Sequence, residues 1–378
     1  MPRVAFIFRA GAGGWLGGVN YVRNLLTALD AAGADGVEPV LFVASSLDRG
    51  VLDGFPPVET VATETLEPAR HDRALRVLTL ERGRADTALD AVLRRHGIAL
   101  LSHSVLMGRP RVPAMGWIPD FQHRRLPEQF GWVERRERDL DFRRIARRSR
   151  RVIVSSHDAE RDLAAFSAEG AARAAVLPFA VAPVDAGQDN AVVQRLGLGR
   201  YVHLPNQLWR HKNHALVVEA LGLLRQRGSD VVVVATGDGH DHRAPGHREA
   251  LLSRARVLGF GNRFQLLGRV PYDDMVALMR GAHVLLNPSL FEGWSTTVEE
   301  GRALGKRMVL SDLPVHREQD PPGATYFDPR DAVALADALQ AAWDGPGDVV
   351  DAAQAARAAR ERHRAFGANY RDLVLATA

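Results

Sequence analysis

Residues 284–301 read Val-Leu-Leu-Asn-Pro-Ser-Leu-Phe-Glu-Gly-Trp-Ser-Thr-Thr-Val-Glu-Glu-Gly, and this stretch indicates the fold better than any other part of the chain. An apolar strand at 284–286 leads through a Glu-Gly turn to Ser295, Thr296 and Thr297, whose hydroxyls can cap a helix that continues through Leu304. The N–H groups at the start of such a helix carry partial positive charge and suit a phosphate, and Glu300, two turns along, could accept hydrogen bonds from ribose hydroxyls. The stretch therefore predicts a site for a nucleoside diphosphate sugar, although any α/β protein can contain a capped strand-to-helix joint.

Length and composition describe a globular protein of two domains. The chain has 378 residues, which suits two domains of roughly 150 to 200 residues each. Hydrophobic residues make up 46% and charged residues 25%, and no apolar run approaches the length of a membrane span. The apolar run near the N-terminus is interrupted by Arg9, which favours a first strand over a signal peptide and hence a cytoplasmic location. The absence of cysteine excludes disulfides, thiol catalysis and Cys-ligated zinc.

The basic residues are unevenly distributed. The net charge of +4 does not indicate a general nucleic-acid binder, but residues 135–151 contain nine arginines with acidic residues among them. This pattern predicts a solvated helix with internal ion pairs. The alternative is a patch that binds an anionic acceptor or makes a peripheral contact with the inner face of a membrane.

Short β-rich runs alternate with helical stretches twice along the chain, which predicts two parallel sheets built from βαβ units. The first set of predicted strands is 3–8, 39–43, 100–103, 114–118 and 152–154. The second set is 201–204, 231–236, 263–266, 284–286 and 307–310. Residues 179–190 lack periodicity, so we expect them to link an N-terminal domain, residues 1–182, to a C-terminal domain, residues 190–365.

The acidic residues of the opening stretch have a recognisable spacing. Glu292 and Glu300 are separated by seven residues, with Asn-Pro-Ser at 287–289 and Ala-Leu-Gly at 303–305 on either side. This pattern resembles the signature of retaining glycosyltransferases of family four. The resemblance therefore implies that this chain shares the fold, the reaction and the site residues of that family.

The resemblance implies the GT-B fold, in which two Rossmann-like, doubly wound α/β domains face each other across a cleft. It implies that a last helix, residues 366–378, packs back on the N-terminal domain with Phe366 and Tyr370 as anchors. The implied reaction moves a sugar from a UDP- or GDP-sugar to a glycan, lipid-linked or small-molecule acceptor, as in polysaccharide biosynthesis, with retention at the anomeric carbon. A sugar-nucleotide epimerase of the same fold and a non-catalytic nucleotide-sugar binding subunit are the alternatives.

Residues 206–214 follow a predicted strand and resemble the family segment in which a lysine opens a helix and binds the donor diphosphate. Lys212 is the candidate for this contact, since an ammonium is a compact charge for a pyrophosphate oxygen. Many relatives place an arginine five residues earlier, where this chain has Gln207. Either Arg210 supplies the second positive charge or one cation is sufficient.

Glycine-rich loops follow several of the predicted strands. The loop at Gly237 follows an apolar strand, and the resemblance places it, with Val270 from a later loop, beside the nucleotide base. Glycines also precede the first helix, but Leu16 stands where a Rossmann fingerprint needs its third glycine, which weakens an NAD site. The resemblance implies instead that Gly17 and Gly18 admit the donor phosphate; the alternative is a flexible turn without ligand.

Acceptor-side candidates lie in the N-terminal half. Residues 119–130 resemble a family segment with a His-Asp pair ahead of Pro-Glu, but Pro119 occupies the histidine position. His123 could supply the missing imidazole, so it and Asp120 are candidates. His103, at the end of another predicted strand, is a further candidate, and its alternative is a core histidine that is hydrogen-bonded to the backbone.

No metal or other cofactor is expected besides the nucleoside diphosphate sugar, which acts as co-substrate. Asp139 and Asp141 look like the DxD motif of another glycosyltransferase fold, but they lie in the Arg-rich stretch. His211 and His214 have no carboxylate at a ligand spacing. The expected site residues are, for catalysis, His123, Asp120, Glu292 and Lys212; for the donor, Gly17, Gly18, Asn206, Arg210, Lys212, Gly237, Val270, Phe291, Gly293, Trp294, Ser295 and Glu300; and for the acceptor, His103 and Asn20.

Overall fold

The computed structural model describes residues 1–9, 16–33, 36–67, 86–104, 111–183, 191–241 and 243–378. Contacts between Cα atoms divide the chain into two compact units. The first unit comprises Met1–Phe121, Gly131–Ala182 and Glu361–Ala378, and the second comprises Gln122–Phe130 and Pro183–Arg360. The domain boundaries given above stay predictions. Of the helices in the described ranges, none combines the length and the apolar character that crossing a bilayer requires.

The described part of the first unit contains one sheet. Its strands are β1 (Arg3–Phe8), β2 (Glu38–Ala44), β3 (Glu59–Thr63), β4 (Ile98–Ser102), β5 (Ala114–Ile118), β6 (Arg151–Val154) and β7 (Ala174–Val176). The order across the sheet is β3-β2-β1-β4-β5-β6-β7, and all neighbouring pairs are parallel. The central strands are nearly continuous apolar runs because both faces of a parallel sheet are covered.

The second unit contains a parallel sheet of its own in the described residues. Its strands are β8 (Val202–Pro205), β9 (Val233–Thr236), β10 (Phe264–Gly268), β11 (Val284–Asn287), β12 (Met308–Ser311) and β13 (Thr325–Phe327). The order is β10-β9-β8-β11-β12-β13. The chain therefore winds outward in one direction from β8 and in the other from β11, which makes a doubly wound sheet.

Helices connect the strands in both units. They are α1 (Leu16–Ala31), α2 (Thr87–Arg95), α3 (Gln122–Arg125), α4 (Trp132–Arg148), α5 (His157–Phe166), α6 (Ala168–Ala171), α7 (Ala191–Arg195), α8 (His214–Gln226), α9 (His247–Leu258), α10 (Tyr272–Gly281), α11 (Thr296–Ala303), α12 (Pro314–Gln319), α13 (Ala332–Asp344) and α14 (Ala352–Leu375). The alternation of strand and helix predicted from the sequence is confirmed, and all ten predicted strands occur within two residues of their expected ends. Strands β3, β7 and β13 were not predicted.

The C-terminal region differs from the expectation of a separate last helix at 366–378. The structure has one continuous helix, α14, so the predicted break is wrong. A glycine inside a helix costs only about 1 kcal/mol, and Gly367 lies where a Cβ would overlap the Ala28 carbonyl of α1. The glycine thus permits close packing instead of ending the helix. Phe366 and Tyr370, on either side of it, are at most 2% exposed and belong to the core of the first unit.

Candidate donor site of the second unit

The candidate donor site lies at the carboxyl ends of β8 and β11, where the strand order of the second sheet reverses. Asn206 directly follows β8, and Asn287 is the last residue of β11. Gly237, after β9, has a φ of 135°, and a Cβ there would lie 2.5 Å from the Asn206 carbonyl oxygen. Both its conformation and its surroundings therefore require glycine. The sequence-predicted residues Asn206 and Gly237 are brought together at this edge of the sheet.

Helix α11 begins at this edge with Ser295 as its capping residue. The Ser295 hydroxyl accepts hydrogen bonds from the Val298 N–H at 3.4 Å and from the Asn287 side-chain amide at 2.8 Å. Gln319 of α12 fixes the cap further, because its Oε1 accepts from the Ser295 N–H at 3.2 Å and its Nε2 donates to the Ser295 carbonyl at 2.9 Å. We predicted from the sequence that the Ser295 N–H would bind a phosphate, but in the structure this N–H already donates to Gln319. In the described residues, the Thr296 N–H has no acceptor and remains for an anion.

Two ties hold the loop that carries Lys212 against the turn that follows β11. The Leu290 N–H donates to the His211 carbonyl at 2.8 Å, and the Asn213 side-chain amide donates to the Pro288 carbonyl at 3.0 Å. Asn213 has a left-handed backbone with a φ of 60°, which asparagine tolerates better than most residues. The loop is thus fixed beside the turn even though the two segments are far apart in sequence.

The Lys212 ammonium and the Glu292 carboxylate form an ion pair with a Nζ–Oε1 distance of 2.6 Å. Both side chains are largely buried, at 16% and 9% exposure, and the Ser289 hydroxyl lies 2.6 Å from the same carboxylate oxygen. Burial acts to raise the pKa of Glu292, but the charge and hydrogen bond of Lys212, together with the neighbouring His211 and His316, hold that pKa below its usual value. An ammonium has three hydrogens, and within the described structure only one of them has an acceptor. The other two remain available to phosphate oxygens.

Arg210 differs from Lys212 in its surroundings. Its side chain is exposed, while its backbone N–H donates to Asp241 at 2.9 Å. Asp241 also accepts from the Arg243 N–H at 2.9 Å, so one buried carboxylate joins the Lys212 loop to the loop after β9. The Arg243 guanidinium lies 4.3 Å from the centre of the Phe130 ring. Arg243 is therefore a second arginine, besides Arg210, near the loop in which position 207 is glutamine and not a cation.

Glu300 lies on α11 with 7% of its surface exposed. Burial raises the pKa of Glu300 to about 7, and the Tyr272 hydroxyl, 3.4 Å away, acts weakly in the opposite direction. So weak a hydrogen bond offsets little of the free-energy cost of burying an ionised carboxylate. Four other predicted donor residues are partly buried in the same unit: Val270, Phe291, Gly293 and Trp294.

The histidines of this region are neutral at physiological pH. Burial, reinforced by the charge of Lys212, lowers the pKa of His211 to about 3, and burial lowers the pKa of His214 to about 3 as well. Among the described residues, no three His, Asp or Glu side chains come together as a group that could hold a metal ion. Asp141 forms an ion pair with Arg144 of the same helix at 2.6 Å.

His103 lies in the first unit, in a chain of hydrogen bonds at the end of β4. The Tyr370 hydroxyl donates to the Ser102 hydroxyl at 2.8 Å, and that hydroxyl lies 2.8 Å from His103 Nδ1. His103 Nε2 is 3.2 Å from the Tyr21 hydroxyl, so both ring nitrogens have partners. Burial lowers the pKa of His103 to about 3. His103 is thus a buried, hydrogen-bonded histidine as in the core alternative, but its partners are side-chain hydroxyls and not the backbone. An acceptor role stays a prediction and would require His103 to release one partner.

The other predicted residues of the first unit lie in α1 and directly after β5. Gly17, Gly18 and Asn20 are in the first turns of α1, with Gly17 and Asn20 exposed and Gly18 buried. The preceding glycines, at 11–14, lie outside the described residues. Asp120 follows β5 and pairs with Arg138 of α4 at 3.7 Å.

His123 is placed differently from Asp120, although only three residues separate them. Its segment, Gln122–Phe130, belongs to the second unit by its contacts, and His123 is only 1% exposed. Its ring lies edge-on to Phe130 with centroids 6.3 Å apart, and Phe130 in turn lies under Arg243. The structure therefore brings His123 into the same unit as the donor-site residues, through aromatic packing that the sequence pattern did not indicate.

Five polar residues of the site were missed by sequence reasoning: Asn287, Ser289, Asp241, Gln319 and Tyr272. Asn287 and Ser289 stand inside the quoted stretch and could have been included as residues at a strand end. The other three residues, Asp241, Tyr272 and Gln319, lie on loops or helices. Local sequence did not indicate them, because the site residues they contact lie 31, 28 and 24 residues away in sequence, respectively.

Residues 199–344, most of the second unit, match the family model described as Glycosyl transferases group 1. Among curated proteins, none matches the sequence significantly. With this domain the chain is a glycosyltransferase, which confirms the enzyme class expected from the sequence.

Solved structures resemble the chain over nearly its full length. HepE from Anabaena in complex with UDP-glucose has a TM-score of 0.67 at 16% identity and covers 97% of this chain and 95% of its own. A glycosyltransferase from Rickettsia africae has a TM-score of 0.66 at 14% identity, covering 99% and 97%. Sucrose-phosphate synthase from Thermosynechococcus elongatus has a TM-score of 0.64 at 19% identity, covering 100% and 95%. These likenesses show the fold, and the predicted GT-B class with two Rossmann-like domains is confirmed.

Proposed function

We propose that this chain is a retaining glycosyltransferase, similar to family four, that moves a hexosyl group from a nucleoside diphosphate sugar to a glycan, lipid-linked or small-molecule acceptor. The observation that carries the proposal is the position of Lys212 beside Glu292, in the same unit as the N-terminus of α11 and Glu300. A UDP-sugar is the first donor to test, because the HepE structure that resembles this chain contains UDP-glucose.

The site has the parts that departure of a diphosphate needs. As the bond to the sugar breaks, negative charge grows on the leaving phosphate, and fixed donors in a partly buried site stabilise such charge strongly. Lys212 offers two hydrogens that lack acceptors in the described structure, and the start of α11 offers partial positive charge. Because the neighbouring histidines are neutral, Lys212 supplies the formal positive charge at this point. Glu300 then serves as acceptor for the ribose hydroxyls.

Glu292 neutralises Lys212 in the structure, so a donor would meet a paired cation. Glu292 keeps the ammonium in position without leaving a buried charge uncompensated. Once phosphate oxygens bind the ammonium, the carboxylate becomes free to accept a hydroxyl of the transferring sugar. In the proposed mechanism an acceptor hydroxyl oxygen forms a bond to the anomeric carbon as the bond between that carbon and the phosphate oxygen breaks. The hydroxyl proton passes to the departing phosphate, and attack on the face from which that phosphate leaves gives retention. Asp120 and His123 act on the acceptor side.

A thermal-shift screen of UDP-, GDP-, ADP- and dTDP-sugars tests the proposal directly. A ligand at about 100 times its Kd stabilises the folded state by roughly 2.7 kcal/mol, so the correct donor should raise Tm clearly. Incubation with that donor alone should release only slow hydrolysis products. Conversion of the donor to an isomeric sugar would identify an epimerase, and binding without transfer or hydrolysis would identify a non-catalytic subunit.

The Glu300→Gln variant should bind the nucleotide more weakly and yet be more stable than the wild type at pH 8. The raised pKa means that the native protein holds a proton that the unfolded chain has lost between about pH 4.5 and 7, so the free energy of unfolding falls as pH rises through this window. At pH 8 a raised pKa of this size lowers the free energy of unfolding of the wild type by at most about 3 kcal/mol. Glutamine does not ionise, so the variant does not lose this free energy. The loss of a charged acceptor should weaken nucleotide binding by about 1.5–3 kcal/mol.

Urea unfolding at pH 5 and pH 8, with calorimetric nucleotide Kd at pH 8, measures both effects on one preparation. The two effects of this one substitution have opposite signs, because nucleotide binding is weakened while stability at pH 8 is increased. An unchanged nucleotide Kd in Glu300→Gln would remove Glu300 from the site whatever the stability result.

Transfer should persist after complete removal of divalent metal ions. The proposal assigns the diphosphate charge to Lys212 and the start of α11, and it gives Asp139 and Asp141 no role as ligands. Initial rates measured with excess EDTA should equal those measured without it. Loss of turnover in EDTA, with recovery on addition of manganese, would contradict this assignment.

The proposal retains the cytoplasmic location expected from the sequence. Contact of the Arg-rich stretch, residues 135–151, with the inner face of the membrane is compatible with a lipid-linked acceptor. A glycan or a small-molecule acceptor needs no such contact, so vesicle binding does not decide the reaction.

A further inference from the structure

Helix α4 has two faces of different character. Its buried face carries Phe142 and Ile145, which pack in a core cluster with residues of β5, β6 and α5. The outward face carries Trp132, Leu140 and several arginines. Exposed large apolar residues on a helix that already has a packed face on its other side are not explained by the fold itself.

The outward residues form one continuous row, which we call the α4 strip: Trp132, Arg136, Leu140, Arg143 and Arg147. Their spacings of four, four, three and four residues place them on one side of a helix with 3.6 residues per turn. Trp132 is 66% exposed and Leu140 is 48% exposed, and all three arginines of the strip are exposed too. The Arg136 guanidinium lies 5.9 Å from the centre of the Trp132 ring.

Two of the four acidic residues of the helix pair with arginines outside the α4 strip. Asp141 pairs with Arg144 at 2.6 Å, and Glu134 pairs with Arg138 at 3.8 Å, so these carboxylates are matched by arginines outside the strip. The sequence of the strip contains no acid. The predicted ion-paired helix is therefore present, but it leaves one row that is basic and apolar at once.

We infer that the α4 strip binds the surface of an anionic lipid bilayer, with α4 lying in the plane of the interface. Arginines on an interfacial helix are attracted to anionic headgroups, and tryptophan and leucine are side chains that enter the boundary between headgroups and acyl chains. Val133, 52% exposed and adjacent to Trp132, widens the apolar part. A soluble polyanion would use the arginines but would leave the exposed tryptophan and leucine without a role. This inference does not depend on the identity of donor or acceptor.

Vesicle sedimentation tests the inference. The full-length protein should bind vesicles of phosphatidylcholine with phosphatidylglycerol and should stay in solution with phosphatidylcholine alone. Two variants separate the contributions: Trp132→Ala with Leu140→Ala removes the apolar anchors, and Arg136→Gln with Arg143→Gln and Arg147→Gln removes the charge. Each should reduce binding to anionic vesicles at least tenfold, and only the variant that keeps the arginines should retain salt-sensitive residual binding.

Val257→Ala is the matched control, because Val257 is 73% exposed on α9 of the second unit and should leave vesicle binding unchanged. Unchanged Tm in all variants confirms that they fold, and unchanged donor-induced thermal shift separates this result from the proposed reaction. Wild-type binding to anionic vesicles by the Trp132→Ala, Leu140→Ala protein would overturn the membrane inference. Equal binding to soluble heparin with and without the apolar pair, in the absence of vesicle binding, would identify a polyanion site instead.

Discussion

Replacement of Lys212 by methionine is expected to lower the rate of transfer by about 10²–10³-fold, since it removes the formal positive charge proposed to stabilise the leaving diphosphate. The same change should also lower the free energy of unfolding, because Glu292 would lose its ammonium partner in a site where it is only 9% exposed. Activity and stability would then fall together, and the single variant cannot separate them.

A double variant separates the two effects. In Lys212→Met with Glu292→Gln, no buried charge is left unpaired, so stability should return toward the wild-type value while transfer and nucleotide-sugar binding stay low. Measurements of kcat/KM, donor Kd and urea unfolding on both variants and on Glu292→Gln form a complete cycle. Recovery of transfer in the double variant would show that Lys212 acts only by neutralising Glu292, and its role at the diphosphate would be abandoned.

The pH dependence of the Lys212→Met stability loss has a defined sign. A carboxylate whose pKa is lowered in the folded state contributes stability above its unfolded pKa of about 4.5, and this contribution disappears as pH falls through the folded value. The difference in unfolding free energy between wild type and variant should therefore be largest near neutral pH and shrink in acid.

The fold was predictable from local pattern because its strands carry strong signals. Strands such as Ala114–Ile118 are buried, apolar and flanked by turn residues, and their positions were predicted closely. The missed strands are three to five residues long, lie at or near sheet edges and contain partly exposed residues, as in Glu59–Thr63 and Ala174–Val176. Pairing with a neighbour stabilises such segments, so their own sequence shows little periodicity.

The site was predictable only where its residues lie in one continuous segment. Ser295 was one of three candidate helix caps, with Thr296 and Thr297, because capping depends on residues three positions apart. The tie between Ser295 and Gln319, and the ion pair between Lys212 and Glu292, join segments that the fold brings together, and neither leaves a trace in local spacing. The burial that raises the pKa of Glu300 is likewise a property of the assembled unit.

Replacement of His123 by alanine is expected to lower kcat by about 10²-fold or more while leaving nucleotide Kd close to the wild-type value, as removal of an acid–base group would. The motivation is its position: His123 follows a strand end of the first sheet, yet its segment has its contacts in the unit that holds Lys212 and Glu300. Its burial makes the packing alternative concrete, since a side chain 1% exposed beside Phe130 also fills space.

Two further variants distinguish catalysis from packing at His123. Phe130→Leu disturbs the aromatic contact but keeps the imidazole, and His123→Gln keeps volume and hydrogen-bonding capacity but cannot exchange a proton near neutral pH. A catalytic His123 predicts low kcat in both His123 variants, near-normal kcat in Phe130→Leu, and nucleotide Kd unchanged in all three. A packing role predicts instead that His123→Ala and Phe130→Leu lose Tm, nucleotide binding and kcat in parallel, while His123→Gln keeps them. Wild-type kcat in a stable His123→Ala protein would exclude the catalytic role and direct attention to His103, whose ring nitrogens would first have to leave Ser102 and Tyr21.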